Sequence, residues 1–496
     1  MNQLRVVVLA VLVMLSAASA QTSSPSADDK LSTTEHEVTI GEQAIRYRAT
    51  AGTILMRDEA GKAKATVFHV AYDKIDNGTT RPADRPITFV FNGGPGAASV
   101  WLHLGTAGPR RIELNADGEA PPPPHRLVDN AHSWLDATDL VFIDPVGTGY
   151  SRPAPGEKGE EFYGVKEDIA WVGEFIRLYL SRNQRWDSPK FLAGESYGTT
   201  RAAGLSEHLA DRHGIALNGI ILISSVLDFA TLNPGQGNDL PYALYLPTYA
   251  AIMHHHRKLS GDVRTLLAEV QKWATTEYLV ALAQGDGLDE PQRKAVAAKL
   301  ARYTGLNEEW ILKADLRIGP EAFRQQLLGE QRKLIGRFDG RIVGQDLRPT
   351  AGEAEYDPSL SRYLPVYSAT FNAYVRRELK FSSDLPYEVL SPKVHPWNFG
   401  RGGGHLYVGD QLKSAMARNP HMKVLVASGW HDLATPYFAS DYTIAQLRLP
   451  VPLRQNVRQT YYAGGHMMYH LPSSLEALHE DIRQFVRWAA ASDGGR

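Results

Sequence analysis

Short runs in which almost every residue is apolar punctuate this chain, and they limit the folds open to it more than any other feature. Ile87-Thr88-Phe89-Val90-Phe91, Leu140-Val141-Phe142-Ile143, Gly219-Ile220-Ile221-Leu222-Ile223 and Lys423-Val424-Leu425-Val426-Ala427 lack the in-and-out alternation of a strand with one wet face. They read as strands covered on both faces, the environment of a parallel sheet. Helical periodicity lies between and after them. Val165, Ile169, Val172, Ile176 and Leu180 fall on one stripe, and Leu475, Leu478, Ile482 and Phe485 form another near the end of the chain. Strand alternating with helix predicts an α/β protein, with a mixed, mostly parallel sheet and helices on both faces.

Two regions depart from that alternation. Between residues 35 and 72, Ala44-Ile45-Arg46-Tyr47-Arg48-Ala49 and Ala65-Thr66-Val67-Phe68-His69-Val70 suggest antiparallel strands at one sheet edge. From 241 to 386 the strand runs vanish. Val263, Leu266, Leu267, Val270 and Trp273, then Phe323, Leu327, Leu328, Leu334 and Ile335, read as helical, so an inserted helical cap is expected there. The expected division is core 35–240, cap 241–386 and core 387–496.

Ahead of the core, Arg5, an apolar run over 6–15 and Ala18-Ser19-Ala20 follow the pattern of a secretory signal over residues 1–20. Residues 21–34, rich in Ser, Thr and Asp, read as a flexible leader. The expectation is an exported protein, periplasmic or secreted, beginning at Gln21 and keeping no stable membrane anchor after cleavage.

Composition narrows the chemistry. With 53 basic and 55 acidic residues, net charge −2, there is no basic field for nucleic acid, and a small-molecule or peptide substrate fits better. The absence of cysteine removes disulfides, thiolate metal sites and a cysteine nucleophile. His254-His255-His256 resembles a metal tract, but consecutive helical residues point to different faces, so it reads as solvated cap surface. Asn77-Gly78-Thr79, a glycosylation sequon, reads as a glycine turn before Pro82.

One further apolar run, Lys190-Phe191-Leu192-Ala193, breaks into Gly194-Glu195-Ser196-Tyr197-Gly198 and continues as a helix-compatible segment. Gly-x-Ser-x-Gly between strand and helix reads as a nucleophile elbow with Ser196 exposed at the turn. A serine hydroxyl needs a histidine to take its proton, and the imidazole needs a carboxylate to fix its tautomer. Later in the chain, the strand over 423–427 runs into Ser428-Gly429-Trp430-His431-Asp432, and the one over 457–462 into Ala463-Gly464-Gly465-His466. Ser196, Asp432 and His466 therefore stand in the order Ser, acid, His at the carboxyl ends of three predicted strands. Asn92-Gly93-Gly94-Pro95-Gly96 follows a fourth strand, where glycines let backbone N–H groups turn toward a site.

Phe91-Asn92-Gly93-Gly94-Pro95-Gly96, Ala131-His132-Ser133-Trp134 with Asp144-Pro145-Val146-Gly147-Thr148-Gly149-Tyr150-Ser151, Gly194-Glu195-Ser196-Tyr197-Gly198 and Gly464-Gly465-His466-Met467 together resemble the serine carboxypeptidase family of the α/β-hydrolase superfamily. The resemblance covers about residues 85–490. It implies an α/β-hydrolase fold and a catalytic triad of Ser196, Asp432 and His466. It also implies an oxyanion hole from the backbone N–H groups of Gly94 and Tyr197, and a site for the substrate's terminal carboxylate at Asn92, the Gly93 amide and Glu195. The implied substrate is a peptide with a free C-terminus; no cofactor and no metal are implied. Two positions depart from the family pattern: Ala97 stands where many relatives have cysteine, and Trp430 replaces the first acid of a Gly-Asp-x-Asp pattern. An esterase or acyltransferase would use the same triad. A catalytically inactive binding module would be signalled by a missing triad member, and none is missing.

Overall fold

The structure, a computed structural model, describes residues 29–76, 84–259, 261–349, 352, 354–400 and 405–491. The signal pattern over 1–20 and the sequon at Asn77 lie outside them.

Nine strands form the frame: β1 (Lys30–Ile40), β2 (Gln43–Arg57), β3 (Ala63–Lys74), β4 (Ile87–Phe91), β5 (Asp139–Ile143), β6 (Lys190–Ser196), β7 (Gly219–Ser225), β8 (Lys423–Gly429) and β9 (Val457–Tyr462). They pair in the order β1-β2-β3-β5-β4-β6-β7-β8-β9, and the two-residue strand Arg152–Pro153 adds a tenth beside β3. β1, β2, β3 and β5 pair antiparallel. From β5 through β4 to β9 every pairing is parallel. The mixed sheet with an antiparallel edge is therefore as expected.

The continuous apolar strands are covered on both faces. Phe89, Phe91, Leu192, Ile220, Leu222, Val424 and Val426 pack on one side with Val172, Phe175 and Ile176 of α1 (Val165–Arg182) and Leu205 and Leu209 of α2 (Tyr197–His213). Their neighbours Val90, Phe191, Ala193, Ile221, Ile223, Leu425 and Ala427 face the opposite layer. The predicted closing stripe Leu475, Leu478, Ile482 and Phe485 lies in that second layer, on the helix Pro472–Ala490. A strand's period of two sends alternate residues to opposite faces, so a strand buried on both must be apolar throughout.

Between β7 and β8 the chain leaves the sheet and builds a separate, mostly helical core over residues 243–343, whereas the rest of the interval expected as cap returns to the sheet: Tyr363, Val366, Tyr367 and Phe371 of the helix Pro358–Arg377 pack in its second layer. Tyr245 and Tyr249 of α3 (Leu240–Arg257), Leu267, Val270 and Trp273 of α4 (Val263–Trp273), and Leu300 of α5 (Glu290–Thr304) pack with Phe323. Leu433 and Tyr437, just beyond β8, join this cluster and root the insertion to the sheet.

Two local readings are corrected. Residues 30–34 belong to β1 rather than to a flexible leader: they pair with 49–53 of β2, and Asp29 forms an ion pair with Arg182 at 2.7 Å. An edge strand is held by its backbone ladder and tolerates a Ser- and Thr-rich run, Thr being favourable there. Leu334 and Ile335 are not helical. They lie in Lys333–Ile335, which pairs antiparallel with Val343–Gln345: the helical run before them ends at Arg332, in left-handed backbone (φ 53°), and the hairpin closes over 336–342.

Candidate active site

Ser196 ends β6 and caps α2, with φ 60° and ψ −130°. A non-glycine residue holds such backbone only where its surroundings over-determine it. Here the next turn of chain is pressed close: a Cβ on Gly194 would stand 2.2 Å from the Gly198 carbonyl oxygen, and one on Gly93 would stand 2.4 Å from the Tyr197 nitrogen. The glycine loop after β4 therefore lies directly against the start of α2. Tyr197 is the first residue of that helix, and the first N–H groups of a helix have no carbonyl within it to donate to.

A buried ion pair supports this loop from beneath. Arg201 donates to Asp168 Oδ2 at 2.7 Å and to the Asn92 carbonyl at 2.6 Å, and its guanidinium lies 5.1 Å from the Phe91 ring centroid. From the far side, Asp144 Oδ1 accepts the Ser99 N–H and hydroxyl, both at 2.8 Å.

Asp432 and His466 are buried, and Nδ1 of His466 lies 2.7 Å from Asp432 Oδ2. The Thr435 hydroxyl reaches the same oxygen at 2.7 Å, while Oδ1 accepts the N–H groups of Ala434 at 2.7 Å and Thr435 at 3.0 Å. Burial pushes the His466 imidazole down, but the charge and hydrogen bond of Asp432, helped by Glu195, outweigh it, so the net shift is upward. Ser196 and His466 line one cleft, without a formed hydrogen bond between them in this structure. Such contacts commonly tighten only in a substrate complex.

The acid and histidine loops are clasped by the turn of the cap hairpin. The His466 N–H donates to the Phe338 carbonyl, and the Gly465 N–H to Asp339 Oδ2 at 3.2 Å. On the other side the Leu433 N–H donates to the Arg337 carbonyl and the Gly340 N–H to the His431 carbonyl, each at 3.0 Å. The Phe338 ring stands 5.1 Å from the His466 ring. The cap thus holds the residues flanking Asp432 and His466 in register. Sequence reading missed this, since Phe338-Asp339-Gly340 carries no signal beyond that of an ordinary turn. The histidine tract sits nearby: His255 is exposed, as expected of cap surface, and meets His431 edge-on, while His256 is half-buried with Nε2 2.7 Å from the Gly340 carbonyl.

Glu195 is 3 % exposed. Tyr469 donates to its Oε2 at 2.7 Å, and the Asn92 side chain is also hydrogen-bonded to it. Asn92 Oδ1 accepts the Leu102 N–H at 3.0 Å, which turns the amide's N–H groups toward Glu195. Burial is the main reason that the Glu195 carboxyl is pushed up to about 7, and the charge of Asp432 adds to it; His466, Tyr469 and Asn92 pull the other way. Neither Thr435 nor Tyr469 was legible as a site residue, because each acts only through its contact with a candidate distant in sequence.

Asn92, Gly93, Gly94, Glu195, Ser196, Tyr197 and His466 all line one cleft of about 770 Å³, with Asp432 behind the histidine. Trp101, Phe229, Leu232, Phe338, Leu360 and Leu390 supply apolar walls. Of the two departures, Ala97 is buried and bridges to Leu390, and Trp430 packs against the cap core with Arg264 over its ring at 5.8 Å.

A mostly parallel sheet, a serine at a strained strand-to-helix turn, and an acid–histidine pair at the ends of two later strands define an α/β-hydrolase. Its family is settled by the sequence as a whole: the model of the family described as serine carboxypeptidase matches residues 55–470, and the chain belongs to that family. Serine carboxypeptidase-like 1 of Arabidopsis thaliana is 28% identical over 173 residues, 33% of this chain and 37% of that protein. Serine carboxypeptidase-like 5 of the same plant is 33% identical over 121 residues, 23% of this chain and 26% of that protein. These matches span well under half the length of either relative. Among solved structures, Kex1(delta)p, a prohormone-processing carboxypeptidase from Saccharomyces cerevisiae, shares the fold, with a TM-score of 0.56 at 17% identity, covering 88% of this chain and 91% of that one.

Proposed function

We propose that this protein is a serine-type carboxypeptidase that releases C-terminal residues from peptides through an acyl-enzyme on Ser196. His466 Nε2 takes the hydroxyl proton as Oγ attacks the scissile carbonyl carbon, and Asp432 stabilises the resulting imidazolium. The N–H groups of Gly94 and Tyr197 receive the oxyanion. The C–N bond then breaks as His466 returns the proton to the leaving amine. A water, deprotonated in turn by His466, hydrolyses the ester and frees Ser196.

The observation that carries the peptidase reading over an esterase one is Glu195, a buried carboxyl with its pKa raised to about 7, in the cleft that holds Ser196. Beside a substrate carboxylate an ionised glutamate would repel, whereas a protonated one donates a short hydrogen bond. Asn92 and the Gly93 N–H supply further donors. The apolar walls suit the side chains of a short peptide, and family membership supports the same reading.

The test compares cleavage of an N-blocked dipeptide with that of its C-terminal amide. The free acid should be strongly preferred, and Ser196→Ala should lose both turnover and labelling by a fluorophosphonate. Equal cleavage of acid and amide would favour an esterase or acyltransferase, and labelling of Ser196→Ala would refute the nucleophile. Export belongs to the same proposal, resting on the residue 1–20 pattern; an intact mass beginning at Gln21 in protein from the native host supports it. Among the described residues no helix is long and apolar enough to cross a membrane.

A further inference from the structure

One charged side chain in the cleft has no part in the chemistry above. Arg337 lies in the turn of the cap hairpin and lines the cleft with Ser196, His466 and Phe338. Its backbone is held at both ends, the N–H by Asp357 Oδ2 at 2.9 Å and the carbonyl by the Leu433 N–H at 3.0 Å. The guanidinium lies 5.4 Å from the Phe338 ring centroid. Among the described residues it makes no ion pair, whereas its neighbours Arg341 and Arg324 pair with Asp339 and Glu321. An anchored, unpaired guanidinium beside apolar walls is a preformed site for a carboxylate.

We infer that Arg337 makes the cleft selective for peptides whose penultimate residue, the one left on Ser196 in the acyl-enzyme, carries an acidic side chain. This rests on the carboxypeptidase reading above. The terminal carboxylate is assigned to the Asn92 and Glu195 end, on the floor formed by β4 and β6, while Arg337 reaches in from the cap beside the histidine. Its charge lowers the pKa of His466, in keeping with a place on the histidine's side of the cleft. A Glu or Asp side chain placed there meets an exposed cation that no acidic side chain among the described residues already pairs with. A Lys or Arg side chain meets repulsion.

The experiment measures kcat/KM for N-blocked dipeptides that differ only as Glu against Gln, first at the penultimate and then at the terminal position. Wild type should prefer penultimate Glu by about 1.5- to fivefold, the range for an exposed ion pair, and the preference should shrink at high salt. Arg337→Gln should bring the ratio to about one, Arg337→Glu should invert it, and Arg337→Lys should restore part of it. Melting curves establish that each variant is folded. The same ratio in wild type and Arg337→Gln, or a preference confined to the terminal position, overturns the inference and leaves the carboxypeptidase reading intact. So does loss, in Arg337→Gln, of discrimination between free acid and amide, which would make Arg337 a partner of the terminal carboxylate. Cleavage of none of the peptides, Gln-containing ones included, defeats the carboxypeptidase reading and this inference with it.

Discussion

Replacing Glu195 by Gln keeps the shape and a hydrogen-bond donor but removes a titration, and the consequences can be worked through for both stability and activity. The carboxyl passes from 4.5 in the unfolded chain to about 7 in the folded one, chiefly through burial. Between those values the folded state binds the extra proton. Its stabilising contribution is complete below the unfolded pKa and is lost as pH rises through the folded one. At 1.36 kcal/mol per pKa unit the loss totals about 3 kcal/mol. The difference in unfolding free energy between wild type and Glu195→Gln, from urea titrations at pH 4 and pH 8, should move by that amount in favour of the variant. Activity follows the same proton. If a free-acid peptide binds only where Glu195 is protonated, kcat/KM should fall about tenfold between pH 6 and pH 8. Dividing by kcat/KM for a neutral ester cancels the titration of His466, which both reactions share. That quotient should fall in wild type and stay level in Glu195→Gln. A level quotient in wild type, or an equal fall in the variant, would refute the role of Glu195 as a protonated donor to the substrate carboxylate.

Three other perturbations probe the supporting contacts. Thr435→Val removes the hydroxyl from Asp432 Oδ2; kcat and the rate of fluorophosphonate labelling should drop about tenfold, the worth of a hydrogen bond to a charged group, with KM little changed. Tyr469→Phe removes a donor that favours ionised Glu195, so the alkaline fall in the peptide-to-ester quotient should shift to higher pH; a shift to lower pH would contradict the hydrogen bond. Arg201→Leu leaves Asp168 buried without its partner and should cost about 3–5 kcal/mol in a denaturant titration, much of it recovered when Asp168→Leu is added. No change on adding the second substitution would mean that the two residues act independently.

Local patterning in the sequence determined the sheet and the order of the chemistry along it. Runs such as Ile87–Phe91 and Val424–Ala427 carry apolar residues on both sides of a period-two element, as burial on both faces requires, and the Gly-Glu-Ser-Tyr-Gly segment joins a strand to a helix in a single stretch of chain. Ser196, Asp432 and His466 follow strand ends, so reading the strands was enough to order them. The same reading erred at Leu334 and Ile335, where an apolar pair fits a short hairpin as well as a helix, and at residues 30–34, where backbone pairing holds a polar strand. What surrounds Ser196, Asp432 and His466 was settled by tertiary structure alone. That Phe338 accepts the His466 N–H, that Thr435 shares Asp432 with His466, that Tyr469 reaches Glu195, and that Arg337 lines the cleft beside Ser196 are matters of segments far apart in the chain meeting. Patterning constrains which face a residue turns inward, not what it meets there, and the raised pKa of Glu195 comes mainly from the volume of protein packed around it, a quantity no local stretch of sequence contains.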